Sequence, residues 1–123
     1  MKTPKPVLDR RRSIRISEKL PFKIGHENYE IEAVTVNISA NGALCVVERE
    51  IALMTQLKIA LTLPVASKAS SKKKTLSLKG VVVRKEKDFS KQQYFIAIYF
   101  SDIKPEDRKF LQQFIESRLP SAA

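Results

Sequence analysis

The sequence predicts an antiparallel β-barrel or sandwich followed by one C-terminal helix. Short segments with apolar alternation run from Leu20 to Phe100, and polar or charged turns separate them. The apolar period changes only after Pro105. Strands with no helices between them pack as one antiparallel sheet system.

Taken in order, Leu20–Ile24 reads as a first strand and Gly25–Asn28 as a turn. Tyr29 to Val36 is a second strand. Tyr29, Ile31, Ala33 and Thr35 lie on one face, and Glu30, Glu32, Val34 and Val36 on the other, which the two valines predict to become covered. Gly42–Val47 is a third strand, and Glu48 to Gln56 joins it to a fourth. In that fourth strand Leu57, Ile59, Leu61 and Leu63 alternate strictly. Residues 65–74 are small, polar and lysine-rich, and predict a mobile hairpin loop. Leu76–Arg84 and Tyr94–Phe100 follow as strands, with the charged stretch Lys85 to Gln93 between them as a turn. A helix is expected over 105–119. Pro105 suits a first turn, Glu106 and Asp107 suit the positive end of the helix dipole, and Phe110, Leu111, Phe114, Ile115 and Leu119 form one apolar stripe. Residues 1–8 form a flexible arm and 120–123 a short tail.

A chain of 123 residues suffices for one domain with a modest core. No apolar run approaches the ~18 residues of a membrane span. Met1–Pro6 is not followed by the apolar core of a secretory signal. The single cysteine, Cys45, has no internal partner for a disulfide, which fits a reducing compartment. A cytoplasmic protein is expected. The net charge of +10 is unevenly placed: residues 1–15 carry +5, residues 68–74 carry +4, and the other 101 residues carry only +1. Nucleic-acid binders tend to build their positive face into the folded body. Here the charge is concentrated in an arm and a loop, and the lysines at 72–74 read as solvated.

Signals for catalysis are weak. His26 has no histidine or cysteine near it in sequence, so a zinc site has no support. Three glycines, at 25, 42 and 80, make no phosphate loop. Ser39 lacks the glycine flanks of a nucleophile elbow, and Cys45 sits inside an apolar strand. No catalytic residue, metal or cofactor is assigned. A binding site is better supported. Asn37-Ile38-Ser39-Ala40-Asn41-Gly42 interrupts two apolar runs, and strand alternation predicts that Asn37 and Ser39 present an amide and a hydroxyl side by side. Asn41-Gly42 predicts a left-handed or turn geometry. Near the start, Arg10, Arg11, Arg12 and Arg15 supply planar guanidinium forks suited to phosphate oxygens and to guanine.

Arg11-x-x-x-Arg15 followed by Asn37-x-Ser39-x-x-Gly42, in a six-stranded chain with a C-terminal helix, resembles the PilZ domain over residues 9–119. Gly80–Arg84 and Tyr94–Phe100 look like that family's fifth and sixth strands. Ala97 stands where many members carry glycine, a departure expected to alter barrel packing slightly. The resemblance implies a six-stranded antiparallel β-barrel that binds the bacterial second messenger cyclic di-GMP. It implies that Arg11 and Arg15 grip phosphate and guanine, that Asn37 and Ser39 contact a guanine, and that Gly42 holds the turn open. Arg10, preceding the first motif arginine, implies that the nucleotide binds as a stacked pair. Residues 1–15 are then expected to be mobile and to wrap over the nucleotide, changing a surface read by an unidentified effector protein. Two other classes compete: a nucleic-acid-binding module using the arm and the 72–74 loop, and a PilZ-like adaptor that binds no nucleotide.

Overall fold

The computed structural model describes residues 14–65 and 72–119. Six strands form a closed antiparallel barrel: β1 (Pro21–His26), β2 (Tyr29–Ile38), β3 (Gly42–Val47), β4 (Gln56–Pro64), β5 (Lys73–Asp88) and β6 (Gln93–Asp102). Around the barrel they run β1-β2-β3-β6-β5-β4, and one helix, α1 (Pro105–Ser117), follows. Closure settles the choice between barrel and sandwich, and it gives every strand a partner on both sides.

Alternation fills the interior. Leu57, Ile59, Leu61 and Leu63 of β4 are all buried, as are Ala43, Cys45 and Val47 of β3 and Ile96, Ile98 and Phe100 of β6. Each large aliphatic or aromatic side chain sealed there contributes about 1.5–3 kcal/mol. Gly80 of β5 faces this interior, where an added Cβ would come 2.9 Å from Ile59 Cδ1 and closer still to Ile98. On α1, Leu111, Phe114 and Ile115 are buried against the barrel, and Pro105, Glu106 and Asp107 occupy the first turn as expected.

Several boundaries differ from the sequence expectations. β5 begins at Lys73, inside the stretch expected to be loop: Lys73 pairs with Pro64 and Lys74 with Leu63, and the hydroxyls of Thr62 and Thr75 meet at 3.1 Å. Long lysine stems tolerate an exposed strand face because the ammonium reaches water. The expected turn from Lys85 to Gln93 is mostly strand, since β5 and β6 pair out to Asp88 and Gln93. Ser90 N–H donates to Asp88 Oδ1 at 3.1 Å and Gln93 Nε2 to Oδ2 at 3.1 Å, closing the shorter turn that remains. The outer face of β2 is not covered: Val34 is 46% and Val36 37% exposed. The arm 1–8, Arg10, Arg11, loop residues 66–71 and the tail 120–123 lie outside the described residues.

Candidate functional site

The site begins with an irregularity in β2. Thr35 pairs with Cys45 and Asn37 with Leu44, so Val36 is an extra residue, a β-bulge. Strict alternation from Ala33 and Thr35 would aim Asn37 inward and Ile38 outward. The bulge reverses both. Ile38 is fully buried, and Asn37 turns outward.

The segment entering β1 is fixed against this bulge. Ile16 and Ile38 exchange N–H···O=C bonds at 3.0 Å each way. The buried Thr35 hydroxyl accepts from Leu20 N–H at 2.9 Å and donates to Glu18 O at 2.6 Å. Ile16 is buried and Ile14 packs on the core, so Arg15 between them points out. Its Nη1 donates to Asn37 Oδ1 at 2.8 Å. Two predicted site residues 22 positions apart are therefore in contact. The bond uses one of five guanidinium N–H groups and the amide oxygen, and the amide NH2 has no partner among the described residues. The hydrogen bonds of Ile16 and the packing of Ile14 thus fix the start of the described chain beside the bulge.

Ser39 does something else. It is 1% exposed, and its hydroxyl donates to Gly42 O at 3.3 Å and accepts from Asn41 N–H at 3.2 Å, while its own N–H donates to Gly42 O at 2.8 Å. It clamps the turn from within, so the amide and hydroxyl do not stand side by side as alternation predicts. Gly42 also has a different reason from the one expected. No glycine here has positive φ. An added Cβ would collide with the backbone carbonyl oxygen of Ile98, so glycine is needed for the close approach of β3 to β6.

Sequence reasoning missed two arginines, one at this turn and one three strands from Asn37 in register. Arg108 of α1 donates through Nη1 to Ala40 O at 3.2 Å and to Asn41 Oδ1 at 3.1 Å, and Phe100 N–H donates to Asn41 O at 2.8 Å. The turn is thus held by the helix and by β6. Arg84 is the other. Asn37, Leu44, Ala97 and Arg84 form one cross-strand row over β2, β3, β6 and β5. A cleft of about 240 Å³ covers the β3–β6–β5 part of this row, lined by Leu44, Ala97 and Arg84 together with Lys85, Glu86 and Phe95. Ala97 therefore faces outward between the buried Ile96 and Ile98, and its methyl shapes this floor rather than the barrel interior. Only the register links these residues, and register is not written in a single strand's sequence.

Cys45, by contrast, is sealed in the barrel, and burial pushes its thiol up to about 12, leaving it a neutral core residue. Among the described residues no cluster of three or more histidine, cysteine or acidic side chains is placed to hold a metal, and no helix is long and apolar enough to cross a membrane.

Comparisons with known proteins agree with this architecture. No curated protein matches the sequence. Among solved structures, the inhibitor of motility MotI/DgrA of Bacillus subtilis superposes with a TM-score of 0.75 at 23% identity, over 87% of this chain and 50% of that one. The PilZ domain of Escherichia coli YcgR with c-di-GMP gives 0.60 at 17% identity, over 88% of this chain and 90% of that one. Borreliella burgdorferi PlzA in complex with c-di-GMP gives 0.60 at 14% identity, over 97% of this chain and 58% of that one. The chain thus spans about half the length of the MotI structure. At these identities the likeness concerns the fold. The sequence profile of the PilZ domain matches residues 9–117, nearly the whole chain. The chain belongs to the PilZ domain family.

Proposed function

We propose that this protein is a cytoplasmic receptor for cyclic di-GMP rather than an enzyme, and that it signals by changing the surface it offers to a partner protein. The observation that carries the reading is the 2.8 Å contact between Arg15 and Asn37, which joins both halves of the sequence motif on one outward face. The PilZ domain of YcgR and PlzA, both of this fold, are in complex with c-di-GMP.

Chemistry supports the assignment. The ligand carries two phosphates and two flat guanines. Arg15 offers charge-assisted donors for the former, worth roughly 1.5–3 kcal/mol each. Asn37 offers an amide whose NH2 remains open to a base edge. The Leu44–Ala97 floor beside Arg84 offers apolar surface next to a guanidinium on which a planar base can stack. Ser39 and Gly42 serve by setting the turn on which Asn37 stands. Arg10 and Arg11 would close over the nucleotide from the arm, with Arg10 favouring a stacked pair. Ordering each arm residue costs about 1–2 kcal/mol, an expense comparable with the gain from the arginine contacts, so the arm can act as a ligand-dependent switch.

Calorimetric titration of the full chain with cyclic di-GMP tests this. Saturable heat that disappears in Arg11→Ala is the expected result, with uptake of a nucleotide pair rather than a single molecule if Arg10 has the stated role. No binding to the unaltered protein would leave the adaptor reading in its place. Nucleotide binding indifferent to Arg11 would remove the arm from the site.

A further inference from the structure

Barrel closure gathers charge that the sequence scatters. Lys23 of β1, Lys58 of β4, Lys79 of β5 and Lys104 before α1 surround one groove of about 490 Å³ on the outer surface. Its floor is made of small residues. Lys23 pairs with Ala60 and Ala60 with Ser77, while Gly25 pairs with Lys58 and Lys58 with Lys79. This face uses β1, β4 and β5, whereas the Arg15–Asn37 contact and the Arg84 cleft lie across β2, β3, β6 and the outer edge of β5.

Two features are hard to assign to folding. Lys58 stands directly opposite Lys79, and like charges facing each other across a strand pair destabilise a sheet. None of the four lysines makes an ion pair within the described residues. Gly25 is the second. A Cβ there would meet Lys58 at 3.7 Å, an ordinary contact, and its φ is not positive. Nothing in the backbone demands glycine at this position, and its effect is to keep the groove open.

We propose that this groove is a docking surface for an acidic segment of a partner protein, whose carboxylates sit between Lys58 and Lys79. The pattern of charge selects that occupant. Glu30 pairs with Gly25 and Asp102 with Lys79, so acids close both ends of the row whose middle is Lys58 and Lys79. A continuous phosphate backbone would run onto those carboxylates. A peptide with central acids and flanking basic or neutral residues matches the whole row, and complementary patterning of this kind fixes register and partner choice.

The test uses the full chain and a fluorescent peptide with central glutamates flanked by lysines, read by anisotropy, with a glutamine version and a single-stranded oligonucleotide as comparisons. The key variant is Lys58→Glu. It places opposite charges across the β4–β5 pair, so thermal unfolding is expected to be unchanged or shifted upward, while affinity for the acidic peptide falls roughly tenfold or more. Gly25→Val keeps every charge and fills the groove, and is expected to weaken the same peptide. Equal binding of the glutamine peptide would overturn the proposal, as would unchanged affinity in Lys58→Glu or in Gly25→Val. An oligonucleotide that outcompetes the acidic peptide at the same lysines would overturn it in favour of nucleic acid.

Discussion

Strands β4 and β2 flank β1 on either side and are built to different rules. β4 alternates without a break from Leu57 to Leu63, each of its four aliphatic side chains is buried, and its pairing with β5 is continuous from Gln56 to Pro64. β2 alternates only as far as Thr35, inserts Val36, and resumes with Ile38 inside and Asn37 outside. The regular strand gives the barrel its stability. The irregular one gives up a little regularity to aim a polar side chain at Arg15. The proposed binding chemistry falls where the strand pattern fails, and the contacts around the bulge, from Thr35 to Glu18 and Leu20, keep that failure from spreading.

If the two strands divide labour in this way, their variants should separate stability from binding. Leu61→Ala in β4 is expected to have the largest effect, about 2–5 kcal/mol of lost stability by urea unfolding, with nucleotide affinity of the folded fraction unchanged. A comparable loss of affinity in that variant would break the division. Arg15→Ala should show the reverse. Cyclic di-GMP affinity should fall by roughly tenfold to a hundredfold, while unfolding midpoints shift little because Arg15 is exposed. Gly42→Ala lies between them. The methyl presses on the Ile98 carbonyl, so a stability loss of about 1–3 kcal/mol and weaker nucleotide binding should appear together. Stability lost without any change in binding would show that the turn's shape does not matter to the site.

The smallest effect is expected far from either strand, at the β5–β6 turn. Hydrogen bonds from Ser90 first, and then Gln93, hold the Asp88 carboxyl below its usual range. A depressed carboxylate stabilises the fold above its unfolded value, and that contribution fades as pH falls below about 4. The protection of the Ser90 amide, measured as exchange relative to its intrinsic rate at each pH, should therefore fall on acidification, and Asp88→Asn should remove that dependence without touching nucleotide binding.

What could be read beforehand follows the same line between regular and irregular structure. The β4 leucines, the stripe of Phe110, Leu111, Phe114 and Ile115, and the number of strands all follow from local period, which is a property of neighbouring residues. Arg15 and Asn37 were recognisable as a motif, and the structure shows the two in contact. The bulge was not legible, because Val36 is a β-branched residue equally suited to a regular strand. Without the bulge, Ser39 was expected to share the outer face with Asn37, when its hydroxyl instead clamps the turn. Arg108, Arg84 and the lysine groove depend on register and on barrel closure. The last of these has no segmental charge signature, since Lys23, Lys58 and Lys79 sit in different strands and meet only across β4.

An amide and side-chain NMR titration of the full chain with cyclic di-GMP would show directly whether the Arg15–Asn37 face takes the nucleotide. Saturable shifts are expected at Arg15, Asn37 and the turn to Gly42, extending along Leu44, Ala97 and Arg84, with Lys23, Lys58 and Lys79 unmoved. Shifts centred on the lysine groove, or none at saturating nucleotide, would contradict that assignment.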